Sequence, residues 1–511
     1  MTATANLVIK NTGYLYAKMG ITMFISLYTT RLILNTLGAS DFGIFNIVGG
    51  AITMLGFLNT AMAGATQRFM SYYEGEGNKE KQKSIFNVSV TLHLGIALVA
   101  GVALLIAGYF FFNGILNIPS DRMFAAKVIY GSLIVSTMFT VMTVPYDAAL
   151  NAHENMRYYA IVGVLESLLK LVVAIVCVYA IYDKLIVYGT LMASIPLATM
   201  TIMRVYCHRH YEECVIAQRR YWDRGLMKEM ASFAGWNLFH TAAAMITNSG
   251  VGIVMNMFFG TLINAAQGVA HQICGQLMAL TNNMNKAITP VITKTEGQKN
   301  HEKVLRFAAT SSKCMFFVTS LFALPAIVTM PELLRLWLVN VPPFAVYFAQ
   351  CQLIISMCEH LTSGFGTAIT ATGHIKGISI SRSVIKFCYL PLSYFLFKAE
   401  VSIIIVYSLL VIIQGLVNGL IIPIYFLEIE FHYSPGQYIK NVFLSSLTVA
   451  TITLVIGQIA AYWFNGWWQL VSAFTCCIVA NVLLFYLIGL NREEKQIVCN
   501  MIPKVGRRNH D

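Results

Sequence analysis

The segment from Ile85 to Phe112 reads IFNVSVTLHLGIALVAGVALLIAGYFFF, 28 residues without one Asp, Glu, Lys or Arg. As a helix rising about 1.5 Å per residue it is roughly 42 Å long, more than the roughly 30 Å hydrocarbon core of a bilayer. A stretch of this length and apolarity reads as a membrane span.

Working outward from it, the same reading gives spans near 13–36, 43–66, 123–146, 159–182 and 185–206, which make six with the first. Six more lie near 230–257, 262–290, 305–329, 344–371, 376–397 and 401–426, and a last pair near 441–463 and 467–490. The fold class expected is an all-α polytopic membrane protein with about 14 transmembrane helices. Fourteen spans of about 20 residues use roughly 280 of the 511, so the connections are short. The composition agrees: 57% of residues are hydrophobic and 11% charged, and mean hydropathy is +0.65. Soluble domains carry about 25% charge, which excludes a water-soluble globule and a disordered chain.

With 35 Lys and Arg against 23 Asp and Glu, the formal charge is +12. In a soluble chain this would suggest nucleic acid; here it is the basic bias of cytoplasmic loops, and no nucleic-acid partner is expected. One side collects Lys10, Arg68, Lys79, Lys81, Lys83, Arg157, Arg204 and the run from Arg209 to Lys228. It also takes Lys294, Lys299, Lys303, Arg306, Lys376, Lys440 and the tail from Arg492 to Arg508. The other side has little beyond Arg31, Arg122, Lys184, Arg335 and Lys398. Both termini are therefore expected in the cytoplasm, in a multi-pass protein of the cytoplasmic (inner) membrane. The longest outward loop, about Met330 to Pro343, leaves no room for an outer catalytic domain, which argues against a membrane glycosyltransferase or polymerase. The eleven cysteines show no metal-ligand spacing, and no disulfide framework, metal or cofactor is expected.

The two sets of six are weakly self-similar. Glu74-Gly75-Glu76-Gly77-Asn78-Lys79-Glu80-Lys81 matches Glu296-Gly297-Gln298-Lys299-Asn300-His301-Glu302-Lys303 at five of eight positions, at an offset of 222 that also aligns Leu37-Gly38 with Phe259-Gly260. At an offset of 219, Ala152-His153-Glu154-Asn155 stands against Ala371-Thr372-Gly373-His374. Copies with an even number of spans run in the same direction, as in carriers that hold substrate between two halves and rock one against the other. The expected layout is a lobe at 1–207, a cytoplasmic linker at 208–229, a second lobe at 230–428, a helix pair at 441–490 and a basic cytoplasmic tail at 491–511.

The run from Arg31 to Gly43, RLILNTLGASDFG, resembles the segment linking the first two helices of polysaccharide flippases in the multidrug/oligosaccharidyl-lipid/polysaccharide exporter superfamily; Gln67-Arg68-Phe69-Met70-Ser71 with its acidic-glycine loop is similar too. The resemblance implies two six-helix bundles in a V around a central cavity. It also implies an activity, the movement of undecaprenyl-pyrophosphate-linked oligosaccharide units across the membrane for O-antigen or capsule assembly, with the polysaccharide polymerase machinery as a candidate partner. The alternatives are a cation-coupled multidrug exporter and a lipid II flippase, whose extra helix pair the last two spans resemble. Residues 13–36 lack the carboxylate that drug exporters of this superfamily often carry there.

Pyrophosphate and sugars cannot cross hydrocarbon without polar partners, and ionisable residues deep in spans are functional candidates. The cationic candidates are Arg31, Lys170, Lys286 and Lys386. Lys386 maps to position 167, one turn from Lys170, and Glu166 offers Lys170 a structural partner at i, i+4. Lys286 shares its helix with Gln267, His271, Gln272, Gln276, Asn282, Asn283 and Asn285. Glu359, His360 and Glu166 are the candidates for coupling to a proton or sodium ion, with an ion pair to Lys386 as the structural alternative for Glu359. Lys18 and Lys313 read as snorkelling to the surface, and Tyr462, Trp463, Trp467 and Trp468 as an interfacial belt.

Overall fold

The computed structural model describes residues 2–53, 56–115, 118–338, 340–492 and 494–496. Cys499, Lys504, Arg507 and Arg508 of the expected basic tail lie outside the described residues, as does the end of that segment. Every regular element among the described residues is a helix. Nine helical segments there are long and apolar enough to cross a membrane. Each of the fourteen expected windows falls largely on helix among the described residues, in one element or in two or three in succession, and several helices run well past their windows, as the first does from Thr2 to Thr53.

The apolar residues of these helices are only partly packed inside the protein. On α3 (Lys79–Phe110) Leu98, Val99, Leu105, Ile106 and Tyr109 are all exposed. Water does not tolerate so continuous an apolar surface on a monomer, so lipid covers it and the chain is multi-pass. Tyr462, Trp463, Trp467 and Trp468 are also exposed, around the last turn of the helix pair.

The chain divides into two compact units: Lys10–Leu238, and Met1–Ile9 with Phe239–Asp511. The first holds most of α1 (Thr2–Thr53), then α2 (Gly56–Glu76), α3, α4 (Met123–Ala152), α5 (Met156–Tyr179), α6 (Lys184–His210), the short α7 (Gln218–Tyr221) and the start of α8 (Arg224–Phe259). α1 turns at Gly38, whose φ of 77° suits a residue without Cβ. Just after this turn Asp41 pairs with Arg122 at 2.8 Å, and Arg122 also pairs with Asp183 at 2.8 Å, which fastens the starts of α4 and α6 to the bend. Burial lifts the Asp41 carboxyl above its usual range, against the pull of the Arg122 charge.

At the other end of this unit three elements meet on His153. Its Nε2 bonds Glu213, which follows α6, and its Nδ1 lies 3.5 Å from Glu74 at the end of α2. Glu74 also accepts from Lys79 at 2.8 Å and Gln82 at 2.6 Å. Burial would raise both carboxyls, but hydrogen bonds outweigh it: from Lys79 and Gln82 for Glu74, from His153 for Glu213. Both are held below the usual carboxylate range.

The second unit runs through α9 (Thr261–Gly297), α10 (His301–Trp337), α11 (Ala345–Leu361), α12 (Ser363–Thr372), α13 (Lys376–Lys398) and α14 (Ile403–Leu410). It continues as a π-helical stretch, Val411–Ile421, then α15 (Ile422–Phe431), α16 (Pro435–Tyr438), a π stretch Ile439–Phe443, α17 (Leu444–Tyr462), α18 (Trp467–Leu484) and a final π stretch Phe485–Gly489. A large part of its core is a cluster that includes Met255, Phe316, Phe348, Leu353, Tyr389 and Tyr407.

The sequence repeat has structural counterparts. Asn78 caps α3 by accepting from Lys81 N at 3.0 Å, and Asn300 caps α10 by accepting from Lys303 N at 3.1 Å. Gly38 and Gly260 share a positive φ, 77° and 75°, and so do Gly77 and Lys299, 75° and 57°. His153 pairs with Glu213 after the sixth expected span, and His374 with Glu430 at 3.0 Å, at the end of the twelfth.

Candidate functional site

α9 and α13 are long enough to span a bilayer yet too polar to be among the nine apolar segments. On α9 Gln272, Gln276 and Asn282 form an exposed polar stripe, and lipid cannot cover such a stripe without leaving amides unsatisfied. Asn285 Oδ1 accepts from Thr289 on its own helix and from Thr367 on α12, at 3.4 Å each. Lys286, half-buried, lies one position further on.

α13 carries the charge. Arg382 and Lys386 stand four residues apart, hence on one face, and both are half-buried. Arg382 Nε donates to Asn418 Oδ1 at 3.2 Å; Asn418 Nδ2 donates to Gln414 Oε1 at 3.2 Å and to the Arg382 carbonyl at 3.4 Å. Asn418 and Gln414 belong to the π-helical stretch Val411–Ile421, an irregularity common at functional sites. The remaining guanidinium nitrogens of Arg382 keep their donors in a planar fork that suits phosphate oxygens.

Two more groups share this field. His240 on α8 is close enough for both cations to act on its charge, and its buried Nδ1 has no hydrogen-bond partner among the described residues. Glu359 on α11 interacts electrostatically with Arg382 and Lys386, without a direct ion pair among the described residues. α11 reaches this position by close packing. Gly419 would place a Cβ 3.3 Å from Glu359 N, and Gly415 would place one 3.5 Å from Cys358 Sγ, so small residues four apart let the two backbones approach.

The sequence candidates separate. Lys386 and Glu359 share one cluster. His360 does not join it: its Nδ1 bonds Thr319 Oγ1 on α10 at 2.8 Å, buried. Lys170 pairs with Glu166 at 2.7 Å along α5, both about 40% exposed, and Arg31 is exposed on α1; these three belong to the first unit. Lys313 does not snorkel. Its side chain is 5% exposed and bonds Glu494 at 2.9 Å, whereas Lys18 lies 4.2 Å over the Tyr159 ring. Sequence reading missed Arg382 and His240. The spacing of Arg382 from Lys386 was the available signal for the first; nothing local marks the second.

No protein-family model matches the chain. An uncharacterized membrane protein of Bacillus subtilis strain 168, EpsK, is 21% identical over 320 residues, a match that spans 60% of this chain and 60% of that protein. Among solved structures, an outward-facing multidrug resistance MATE family transporter of the MOP superfamily superposes with a TM-score of 0.68 at 13% identity, over 82% of this chain and 96% of its own. A MATE protein in the bent conformation gives 0.69 at 14% identity, over 82% and 95%. The fold is that of the MATE transporters. A MOP superfamily transporter from Pyrococcus furiosus Vc1, described as having a binding pocket of reverse polarity that suggests a different function, gives 0.59 at 13% identity. It spans 97% of this chain and 96% of its own.

Proposed function

We propose that this chain is a carrier of the cytoplasmic membrane that flips undecaprenyl-pyrophosphate-linked oligosaccharide units outward for surface polysaccharide assembly, by alternating access between lobes at 1–207 and 230–428. The observation that carries this reading is the cluster of Arg382, Lys386 and the unpartnered His240 nitrogen, set among spans of a MATE fold. Two cations beside a single carboxylate, Glu359, favour an anionic ligand over the cationic drugs of an exporter. The Pyrococcus furiosus neighbour, whose pocket polarity is reversed, supports taking polarity rather than fold as the guide to substrate. The exposed amides of α9 supply hydrogen-bonding surface for sugars, and Lys286 is a further phosphate contact in this reading; Arg31 is kept as a cationic candidate of the first unit alone. Lys170 is assigned a structural pair with Glu166.

The test is deletion of the gene followed by assay of surface polysaccharide and of lipid-linked oligosaccharide on the cytoplasmic face. Loss of surface glycan with accumulation of the finished lipid-linked unit is expected, restored by the wild-type chain and not by Arg382→Gln or Lys386→Gln. Normal glycan with altered drug accumulation would overturn the reading in favour of the exporter.

A further inference from the structure

A second basic site is lined by elements other than α13. A cavity of about 630 Å³ opens where α10 begins, where the Ile439–Phe443 stretch enters α17, and where the Phe485–Gly489 stretch ends. Four cations line it, Arg306, Lys313, Lys440 and Arg492, against two carboxylates, Glu302 and Glu494. Glu494 is fully engaged. It takes bonds from Lys313 Nζ at 2.9 Å, Thr310 Oγ1 at 2.8 Å and Asn491 N at 2.8 Å, and it is 7% exposed. That closed pair forms the back wall. Glu302 lies 3.6 Å from Arg306 and is 88% exposed. Lys440 and Arg492 are exposed and make no ion pair among the described residues, so they give the described part of the rim a basic face.

Two features identify the ligand class. First, the cavity sits at the end of this unit where Lys294, Lys299, Lys303, Lys376 and Lys440 collect, the side read as cytoplasmic by charge. Second, its wall is continuous with lipid-facing surface: Ile488 lines it, and the neighbouring Leu487 and Leu444 are exposed apolar residues. A site that is basic on its water side and apolar on its membrane side matches a phosphate carried on acyl chains. Basic pockets between membrane helices at the cytoplasmic face hold anionic headgroups on this principle.

We propose that this cavity binds the phosphate headgroup of an anionic phospholipid, with Lys440 and Arg492 as the principal contacts and the Lys313–Glu494 pair as a fixed floor. The inference is independent of the substrate assigned above and needs only the membrane reading.

The test is native mass spectrometry of the full-length protein released from detergent, counting retained phosphatidylglycerol against phosphatidylcholine. Wild type is expected to retain phosphatidylglycerol selectively. At about five-fold per surface cation, Lys440→Gln with Arg492→Gln is expected to cut that selectivity about 25-fold. The double variant Arg335→Gln with Lys398→Gln, on the opposite side, is expected to leave it unchanged. Both variants alter exposed side chains, and unchanged size-exclusion profiles verify the fold. Equal retention by wild type and the Lys440/Arg492 variant would overturn the proposal. Displacement of the lipid by millimolar inorganic phosphate would assign the site to free phosphate and overturn the lipid source.

Discussion

Replacing Glu359 by Gln separates the two transport readings by the sign of the effect. Glu359 is the carboxylate in the field of Arg382 and Lys386. Across about a helix diameter, roughly 10 Å, a unit charge at an effective dielectric of about 20 contributes about 1.7 kcal/mol. Removing it strengthens the positive potential felt by a bound anion by that amount, about seventeen-fold in affinity. Titration of purified Glu359→Gln protein with inorganic pyrophosphate, read by calorimetry, is therefore expected to show tighter binding than wild type. The difference should shrink at about 0.5 M salt as screening increases. Arg382→Gln and Lys386→Gln are expected to weaken binding, Arg382→Gln the more because it also loses a directional fork. Unchanged or weaker pyrophosphate binding by Glu359→Gln would refute the reasoning. If transport were abolished while anion binding stayed at its wild-type value, Glu359 would be the coupling carboxylate of a cation-driven exporter.

Other expectations concern the scaffold. Ala at Gly364 would place a Cβ 2.2 Å from the Ala308 carbonyl oxygen, so Gly364→Ala is expected to cost about 3 kcal/mol or more in overpacking; an unchanged melting temperature in detergent would refute the contact. His153→Ala takes away the hydrogen bond between the imidazole and the buried Glu213 carboxylate and is expected to destabilise by about 1–3 kcal/mol, and adding Glu213→Gln should recover part of the loss; a double variant no more stable than the single would contradict the pairing. Because Glu74 and Glu213 are held below the ordinary carboxylate range, their stabilisation is present above that range and is lost as pH falls through and below it. Thermal unfolding of wild type between about pH 6 and pH 3 should therefore show an acid loss that Glu213→Gln reduces, and identical acid profiles would count against the assignment. Arg122→Gln removes two partly exposed ion pairs and is expected to cost about 1–2 kcal/mol, read as a lower melting temperature in detergent.

Long uncharged runs such as Ile85–Phe112 made the spans legible, because lipid imposes apolarity and backbone satisfaction on each span separately. Irregularities inside the spans were not legible, since their causes lie far along the chain. The window 344–371 divides at Thr362, where Gly364 N donates to Ser312 Oγ at 3.0 Å and the Thr362 hydroxyl donates to the Gly419 carbonyl. Those partners come from α10 and from the π stretch, and no local spacing announces them. The cluster on α13 was half visible. Lys386 stood out as an isolated cation in an apolar run, while Arg382 lay near enough to the basic end of the same helix to pass as part of it. His240 carries no sequence mark at all, because its position matters only once α8 packs beside α13. Lys313 was misjudged for a related reason: its partner Glu494 lies beyond the last span.

The repeated elements suggest why the charged residues fall into two kinds. Within Lys10–Leu238, Arg122 ties the bend at Gly38 to α4 and α6 at one end, and His153 ties α2, α4 and the segment after α6 at the other. In the second unit His374 and Glu430 repeat the His153–Glu213 link, and Asn300 repeats the Asn78 cap. Ion pairs at helix ends are cheap to hydrate, so they can fix a bundle's geometry without entering hydrocarbon. Arg382, Lys386 and Glu359 lie within spans, where each charge is costly, and none of them forms a direct ion pair among the described residues. A charge retained at that depth without cancelling its neighbour has little structural use. The end pairs tie helices together within each unit, and in the proposed function the α13 cations serve an anionic ligand.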